Sequence, residues 1–186
     1  MKEGKILMDL QNFYNTLVLV KSDINEHLPT LLYYGSMVDH ITEMGVRSGR
    51  STTAWIKSAP KKLICYDLRL HPKFNILQYE KWAVEQKIDF HFIVGNTLKV
   101  EIEETDLLFI DTLHQYPQLR EELRLHADKV RNYIILHDTE TFGERGEFNH
   151  RHGLKKAIKK FLDISTEWCI SEHYANNNGL TILERI

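Results

Sequence analysis

The sequence is poor in cysteine and has no long apolar run. Cys65 and Cys169 are the only two cysteines in 186 residues, and they do not form a CxxC pair. Both lie in apolar, strand-like segments, so we expect buried free thiols in a reducing compartment and no catalytic cysteine. No window approaches the ~20 apolar residues that cross a bilayer. The sequence therefore predicts a cytoplasmic protein with no membrane partner.

The chain also lacks a surplus of charge of either sign. It has 24 Lys and Arg against 26 Asp and Glu, for a formal net charge of −2. The densest basic run, Lys155–Lys160, has the spacing of the solvent-facing side of an amphipathic helix. Without a broad basic surface, tight binding to DNA or RNA lacks its main source of free energy. Nucleic acid is thus a disfavoured substrate, and a small molecule is favoured.

Short apolar runs rich in β-branched and aromatic residues alternate with helical patterns from Val38 onward. This alternation is typical of βαβ units that close a parallel sheet covered by helices on both faces. The predicted strands are Val38–Met44, Lys62–Asp67, Asp89–Val94, Asp106–Asp111, Asn132–His137, Trp168–Tyr174 and Leu180–Arg185. The predicted helices between them are Ser51–Ser58, Pro72–Gln86, Tyr116–Val130 and Gly153–Ile164. The pattern predicts an α/β, Rossmann-like three-layer sandwich.

The two ends of the chain complete this prediction. Asn176–Gly179 ends in an Asn-Gly pair, which supplies the positive φ angles of a tight turn, so the last two strands form an antiparallel C-terminal hairpin on a seven-stranded, mostly parallel sheet. Residues 1–37 are predicted to be an N-terminal capping segment with one helix, Asp23–Tyr34, capped by Ser22. Residues 38–186 form the core of a single domain, and the polar connection Thr139–His152 is the predicted lid.

A small-residue turn follows the first predicted strand. In doubly wound sheets, ligands bind beyond the carboxyl ends of the strands, where a glycine turn and the start of a helix offer free amide groups. Gly45 and Gly49 stand at that place. Their spacing differs from the Gly-x-Gly-x-x-Gly of dinucleotide folds, and no Gly-Lys-Ser/Thr phosphate loop follows. A structural turn that binds nothing is the alternative, since a glycine pair is weak evidence by itself.

The segment Thr42–Thr52 resembles motif I of class I S-adenosylmethionine-dependent methyltransferases, and the resemblance extends from Val38 to the end of the chain. It implies that Gly45 gives the methionine moiety room and that Glu43 supports the loop or faces the sulfonium. The other cofactor-binding residues that it implies are Arg47, Ser48 and Gly49 in the loop, Ser51 on the cofactor carboxylate, Asp67 on the ribose hydroxyls, Asn96 and Thr97 beside the adenine, and Asp111.

Acidic and histidine residues end the next two strands. Asp111 closes the fourth strand and is followed by His114, while His137 and Asp138 close the fifth. Carboxylates at neighbouring strand ends repel one another unless a cation or protons intervene, which favours a divalent metal such as Mg²⁺. A hydrogen-bonded strand end without metal is the alternative.

This second group resembles the metal-assisted O-methyltransferases of the catechol and macrolide-sugar types. The resemblance implies catalytic roles for Asp111 and His114, with His114 as the base that takes the proton from the acceptor hydroxyl. It also implies a metal held by Asp111 and Asp138, with His137 or Thr139 as the adjoining ligand. Phe142, Phe148, His150, Arg151 and His152 are the lid residues expected to select the acceptor, and an ordinary solvated loop is the alternative.

The predicted function is S-adenosylmethionine-dependent, metal-assisted O-methylation of a sugar or another small metabolite. A metal-independent methyltransferase that acts on nitrogen, protein or nucleic acid is the alternative within the fold. A nucleoside-binding module without catalysis is the alternative from a different class. A homodimer is an open prediction for the assembly.

Overall fold

The computed structural model describes residues 9–148 and 152–186. Six α-helices occupy Leu10–Leu19 (α1), Leu28–Gly35 (α2), Arg50–Ser58 (α3), Ile76–Glu85 (α4), Tyr116–His126 (α5) and Leu154–Ile164 (α6). Seven strands occupy His40–Met44 (β1), Lys62–Asp67 (β2), Asp89–Val94 (β3), Thr105–Ile110 (β4), Val130–His137 (β5), Trp168–Tyr174 (β6) and Leu180–Arg185 (β7). Short 3₁₀ turns cover Asn25–His27 and Ala127–Lys129.

The strands form one sheet in the order β3-β2-β1-β4-β5-β7-β6. β1 pairs in parallel with β2 and β4, and β3 and β5 extend the parallel part on either side. β7 lies between β5 and β6 and is antiparallel to both. The predicted mostly parallel sheet with an antiparallel C-terminal hairpin is therefore confirmed, with β7 as the strand that runs against the others.

Side chains of the central strands alternate between two apolar cores, as the pleat requires. Leu107 and Phe109 of β4 belong to the core under α1–α4, whereas Leu108 and Ile110 belong to the core under α5 and α6. Because the centre of the sheet is covered on both faces, Leu107–Ile110 of β4 and Tyr133–Leu136 of β5 are continuous apolar runs. Glu43 is a buried charged residue in the neighbouring strand β1, and it lies on the face that α3 covers.

The N-terminal segment differs from the prediction. The helix predicted over Asp23–Tyr34 is wrong at its start, because α2 begins only at Leu28, and Ser22 is not its N-cap. Pro29 lies in the first turn of α2, where a proline, which has no N–H to donate, is best tolerated. The preceding helix α1 was not predicted, although the side chain of Asp9 caps it by accepting a hydrogen bond from the N–H of Asn12.

The other predicted elements are all present, four strands with the predicted bounds and the rest with shifted ends. β1 begins two residues later than predicted and β5 two residues earlier, and β4 is shifted by one residue. Helix α4 begins at Ile76 and not at Pro72, and α5 ends at His126. Within the described residues, no helix has the length and apolar character needed to cross a membrane.

Candidate active site

The candidate site lies between β1 and β4, where the order of the strands in the sheet reverses. The chain leaves β1 toward β2 on one side and leaves β4 toward β5 on the other, so a crevice opens between the carboxyl ends of β1 and β4. Gly45, with φ +89°, starts the loop after β1, and the Asp111 N–H donates to the Met44 carbonyl at 2.8 Å. A Cβ on Gly45 would lie 2.0 Å from the Asp111 carbonyl oxygen, so a side chain does not fit here.

The loop after β1 is tied to the end of β2 by Asp67. Its Oδ2 accepts hydrogen bonds from the N–H groups of Val46 at 2.9 Å and Arg47 at 2.8 Å. Its Oδ1 has a longer contact, 3.3 Å, with the N–H of Arg69. Asp67 therefore shapes the glycine loop with one oxygen and leaves the other as the better acceptor for a ligand.

Glu43 lies beneath this loop and is fully buried. Its carboxylate accepts from the Ser51 hydroxyl at 2.5 Å, the Thr52 hydroxyl at 2.6 Å and the Cys65 thiol at 3.0 Å. Burial raises the pKa of Glu43 to about 7, although these three donors lower it. Glu43 thus supports the loop from inside the protein, and the Ser51 hydroxyl is already donated to it.

The segment after β3 is held by a buried carboxyl that sequence reasoning missed. Glu122 of α5 accepts from the hydroxyls of Thr97 at 2.7 Å and Thr112 at 2.8 Å and from the Gln118 amide at 2.8 Å. Burial raises the pKa of Glu122 against the effect of these donors. Thr97 is thereby fixed, while the side-chain Oδ1 of Asn96 closes a local turn by accepting from the Leu98 N–H at 2.9 Å.

One cleft of about 730 Å³ gathers most of the predicted site residues. Those that line it are Gly45, Arg47, Asp67, Asn96, Thr97, Asp111, His114 and Asp138. Ser48 and Ser51 line an adjoining pocket of about 550 Å³, which shares Arg47 and Asp111 with the cleft. Glu43 and Gly49 lie buried behind the loop, and His137 lies buried behind the acidic residues.

His114 occupies the acidic end of the cleft. Its Nε2 lies 3.1 Å from Asp111 Oδ1 and 2.8 Å from Asp138 Oδ2, and its Nδ1 lies 3.2 Å from Glu147 Oε2. A neutral imidazole has only one N–H, so carboxylates at both nitrogens favour the doubly protonated ring. Burial alone would lower the pKa of His114, but its contacts with Asp111 and Asp138 raise it to about 10.

His137 contacts the same carboxylates from the buried side of the site. Its Nε2 lies 3.1 Å from the Asp23 carbonyl oxygen, and its Nδ1 is 3.3 Å from Asp111 Oδ1 and 3.7 Å from Asp138 Oδ2. That Nδ1 is buried and has no hydrogen bond of good geometry among the described residues. Burial opposes charge on the ring, yet the carboxylate of Asp111 raises the pKa of His137 to about 9.

Ligand atoms of Asp111, His114 and Asp138 all lie within 4.8 Å of one another, close enough to share one cation. The set has two carboxylates and one imidazole, which suits Mn²⁺, Fe²⁺ or Zn²⁺ as well as Mg²⁺. The predicted ligand His137 borders this set through Asp111. The Thr139 hydroxyl, the other predicted neighbour, is buried and accepts a hydrogen bond from Thr181 at 2.9 Å.

Loops also contribute to the cleft: Phe142, a predicted lid residue, lines it, while Glu147 and Asn178 come from segments in which no motif was recognised. The ring of Phe142 stacks on His114 with centroids 4.7 Å apart, and Glu147 contacts the opposite nitrogen of that histidine. Asn178, from the turn between β6 and β7, donates to Asp138 Oδ1 at 2.8 Å. Phe148 is exposed, and the predicted lid residues His150 and Arg151 lie outside the described residues.

No protein-family model matches the sequence, and no curated protein sequence matches it. Solved structures do match. An O-methyltransferase from Bacillus cereus in complex with SAH aligns with a TM-score of 0.65 and 12% identity, covering 100% of this chain and 93% of that one. An SAH-bound methyltransferase from Podospora anserina gives 0.63 and 15%, covering 98% and 88%.

A third match is the 1,6-didemethyltoxoflavin-N1-methyltransferase of Burkholderia thailandensis, solved with 1,6-didemethyltoxoflavin and S-adenosylhomocysteine. It aligns with a TM-score of 0.61 and 11% identity, covering 95% of this chain and 86% of that one. The chain has the class I methyltransferase fold. At these identities the likeness concerns the fold, while the chemistry has to be argued from the side chains. In this class I methyltransferase fold, the cleft lies at the carboxyl ends of β1, β2, β4 and β5.

Proposed function

We propose that the protein is an S-adenosylmethionine-dependent methyltransferase that transfers a methyl group to a hydroxyl of a small-molecule acceptor. The observation that carries this proposal is the convergence of Gly45, Asp67, Asp111 and Asp138 on one cleft. The glycine loop and the acid at the end of β2 suit a nucleoside cofactor. The acid–imidazole group at the other end of the cleft suits a polar acceptor.

The nucleoside would lie between Asp67 and the Asn96–Thr97 turn. Oδ1 of Asp67, which has only the long contact with the Arg69 N–H, is the acceptor for the ribose hydroxyls, and the missing Cβ of Gly45 leaves room for the methionine chain. The Ser51 hydroxyl is donated to Glu43, so the cofactor carboxylate would meet the first N–H groups of α3. These amides have no side-chain cap, and helix N-termini bind anions through such groups.

The acceptor would enter at the end of the cleft formed by Asp111, His114 and Asp138. Methyl transfer from a sulfonium requires an in-line acceptor oxygen, so positioning and loss of the hydroxyl proton are the main tasks of the protein. We assign His114 as the base that accepts the proton of this hydroxyl. Its neutral form is the minor form at pH 7, given a pKa of about 10, so the ring must lose a proton before it can act as the base.

The same residues fit a divalent cation. The carboxylates of Asp111 and Asp138 would hold it, which leaves His114 as the base for the hydroxyl proton. Such a cation, when bound, stabilises a developing alkoxide by Lewis acidity. A sugar or a phenol with adjacent hydroxyls is the acceptor class that this end of the cleft favours.

The test is to incubate the purified chain with labelled S-adenosylmethionine and a panel of sugars, phenols, amines and nucleotides, with and without Mg²⁺. We expect methylation of a hydroxyl compound. Asp111→Asn and His114→Ala should reduce turnover by about 100-fold or more, the usual range for loss of acid–base catalysis, while SAH still binds.

The exposed pair of Asp89 and His91 offers matched controls, since their side chains also make a 2.9 Å contact but lie on the edge strand β3. Asp89→Asn and His91→Ala should leave turnover unchanged. Methylation of an amine alone would favour the nitrogen-directed alternative. If SAH binds and no acceptor is methylated, the chain is a nucleoside-binding module.

A further inference from the structure

The turn between β6 and β7 is part of the candidate site and does more than reverse the chain. Asn177, Asn178 and Gly179 have φ angles of +44°, +73° and +94°, so three consecutive residues are left-handed. Gly179 needs to be glycine, because a Cβ there would lie 2.4 Å from the Glu140 nitrogen. Asparagine tolerates this region better than most residues, but glycine would adopt it at lower cost. An asparagine at position 178 therefore suggests a use for its side chain.

The side chain of Asn178 has one specific partner. The side-chain Nδ2 donates to Asp138 Oδ1 at 2.8 Å. The backbone carbonyl of Asn178 accepts from the N–H groups of Glu140 at 2.9 Å and Thr141 at 3.0 Å. The backbone of Asn178 thus binds the loop that follows Asp138, and its amide binds the carboxylate itself. The turn therefore holds Asp138 in two ways, through its carboxylate and through the backbone of the loop that follows it.

Asp138 is a residue that needs such support. It has a φ of +60°, which is costly for a non-glycine residue, and its side chain is 6% exposed. Its Oδ2 faces His114 at 2.8 Å, on the side where Asp111 also points. Since Asn178 holds Oδ1, the carboxylate cannot rotate without losing a buried hydrogen bond, and Oδ2 stays directed at the cleft.

The neighbouring asparagines have different partners. Asn176 Nδ2 donates to Glu26 Oε2 at 2.6 Å, and Asn177 accepts from the Glu26 N–H at 2.9 Å and donates to the Ser22 carbonyl at 2.7 Å. Those contacts hold the N-terminal segment. Only the third asparagine of the turn contacts the acidic end of the cleft, where it also lines the wall.

We propose that Asn178 is a positioning residue that orients Asp138 and thereby sets the affinity of the Asp111–Asp138 end of the cleft for a divalent cation. This inference rests on the proposed metal-assisted function. Residues that orient metal ligands through hydrogen bonds change metal affinity when they are replaced, and carboxylate ligands depend on such partners.

Asn178→Gly tests the inference, because glycine keeps the left-handed turn and removes only the amide. Mn²⁺ is titrated into the full chain and followed by electron paramagnetic resonance, with SAH affinity measured by calorimetry and Tm by circular dichroism. We expect Mn²⁺ to bind about 10- to 100-fold more weakly to Asn178→Gly than to the parent. Tm should stay close to that of the parent, since relief of backbone strain offsets the lost hydrogen bond to Asp138, and SAH affinity should be unchanged.

Asn177→Gly is the matched control. It relieves the same kind of backbone strain but loses the contacts with Glu26 and Ser22, so Mn²⁺ affinity should equal that of the parent. Parent-like Mn²⁺ binding by Asn178→Gly would overturn the inference, as would a parent protein that binds no Mn²⁺. Failure of SAH to bind the parent would instead refute the proposed methyltransferase function, so the two failures are distinguishable.

Discussion

At the scale of single residues, Glu43 shows how a buried carboxyl ties stability to pH. Its ordinary pKa of 4.5 rises to about 7 in the folded protein because of burial. Between these two values the folded state holds a proton that the unfolded state has released. The free energy of unfolding should therefore fall as pH rises from 4.5 to 7, by at most about 3 kcal/mol from this group.

Glu43→Gln should remove this slope, because an amide does not titrate in that range. The measurement is urea unfolding of the parent and the variant at a series of pH values, in which the difference between their stabilities isolates Glu43 from the histidines. The exposed Glu80 provides a control, and Glu80→Gln should keep the slope of the parent. Parallel curves for the parent and Glu43→Gln would show that the pKa of Glu43 is not raised.

Residue-scale prediction from the sequence succeeds where a strand end decides the position. Asp67 and Asp111 could be placed in one cleft because carboxyl ends of parallel strands meet at one edge of the sheet. Asn178 and Glu147 could not, because loops that start far apart in the chain bring them to Asp138 and His114. Their roles depend on loop geometry, which no periodicity in the sequence records.

At the scale of secondary-structure elements, the junction of β1 and β4 depends on Gly45. Gly45→Ala would place a Cβ 2.0 Å from the Asp111 carbonyl oxygen at a φ of +89°. The loop must then move away from β4, and we expect loss of SAH binding together with a loss of about 1–3 kcal/mol of stability. Calorimetry with SAH and thermal unfolding measure the two effects.

Gly35→Ala separates the two effects of Gly45→Ala. A Cβ at Gly35 would also be too close to its neighbours, with Ser58 Oγ at 2.4 Å, but it lies in α2 and does not line the cleft. This variant should lose stability and still bind SAH. If Gly45→Ala binds SAH as tightly as the parent, the glycine loop does not contact the cofactor.

Element types were predictable where the apolar period was clear, whereas element ends were predictable only for some strands. β2, β3, β6 and β7 have the predicted bounds, since each is bordered by turn residues. Helix α1 was missed although Leu10, Tyr14 and Leu17 repeat at helical spacing and are buried. The position of β7 between β5 and β6 is a tertiary feature, because hairpin pairing alone leaves open which strand of the hairpin joins the sheet.

At the scale of the whole molecule, a buried histidine joins the segment before α2 to the turn between β6 and β7 beside the cleft. His27 is 1% exposed, and its Nε2 lies 3.0 Å and 3.1 Å from the carbonyl oxygens of Asn176 and Asn177. Its ring also meets that of His137 edge to face at 5.9 Å. Burial lowers the pKa of His27, so the neutral ring donates one N–H to the turn.

His27→Ala would remove the imidazole donor from the Asn177 carbonyl and one of the two donors from the Asn176 carbonyl, which also accepts from the Gly179 N–H at 2.8 Å. It would also leave a cavity under the N-terminal segment. We expect a loss of about 2–4 kcal/mol in the free energy of unfolding. Because His27 connects the segment to the turn that carries Asn178, hydrogen exchange should increase at both, while exchange in β1 and β4 stays slow. His91→Ala, at an exposed position of β3, should change neither quantity. Faster exchange in the segment alone would mean that the turn is stable without it, and that Asp138 is positioned independently of the N-terminal part of the chain.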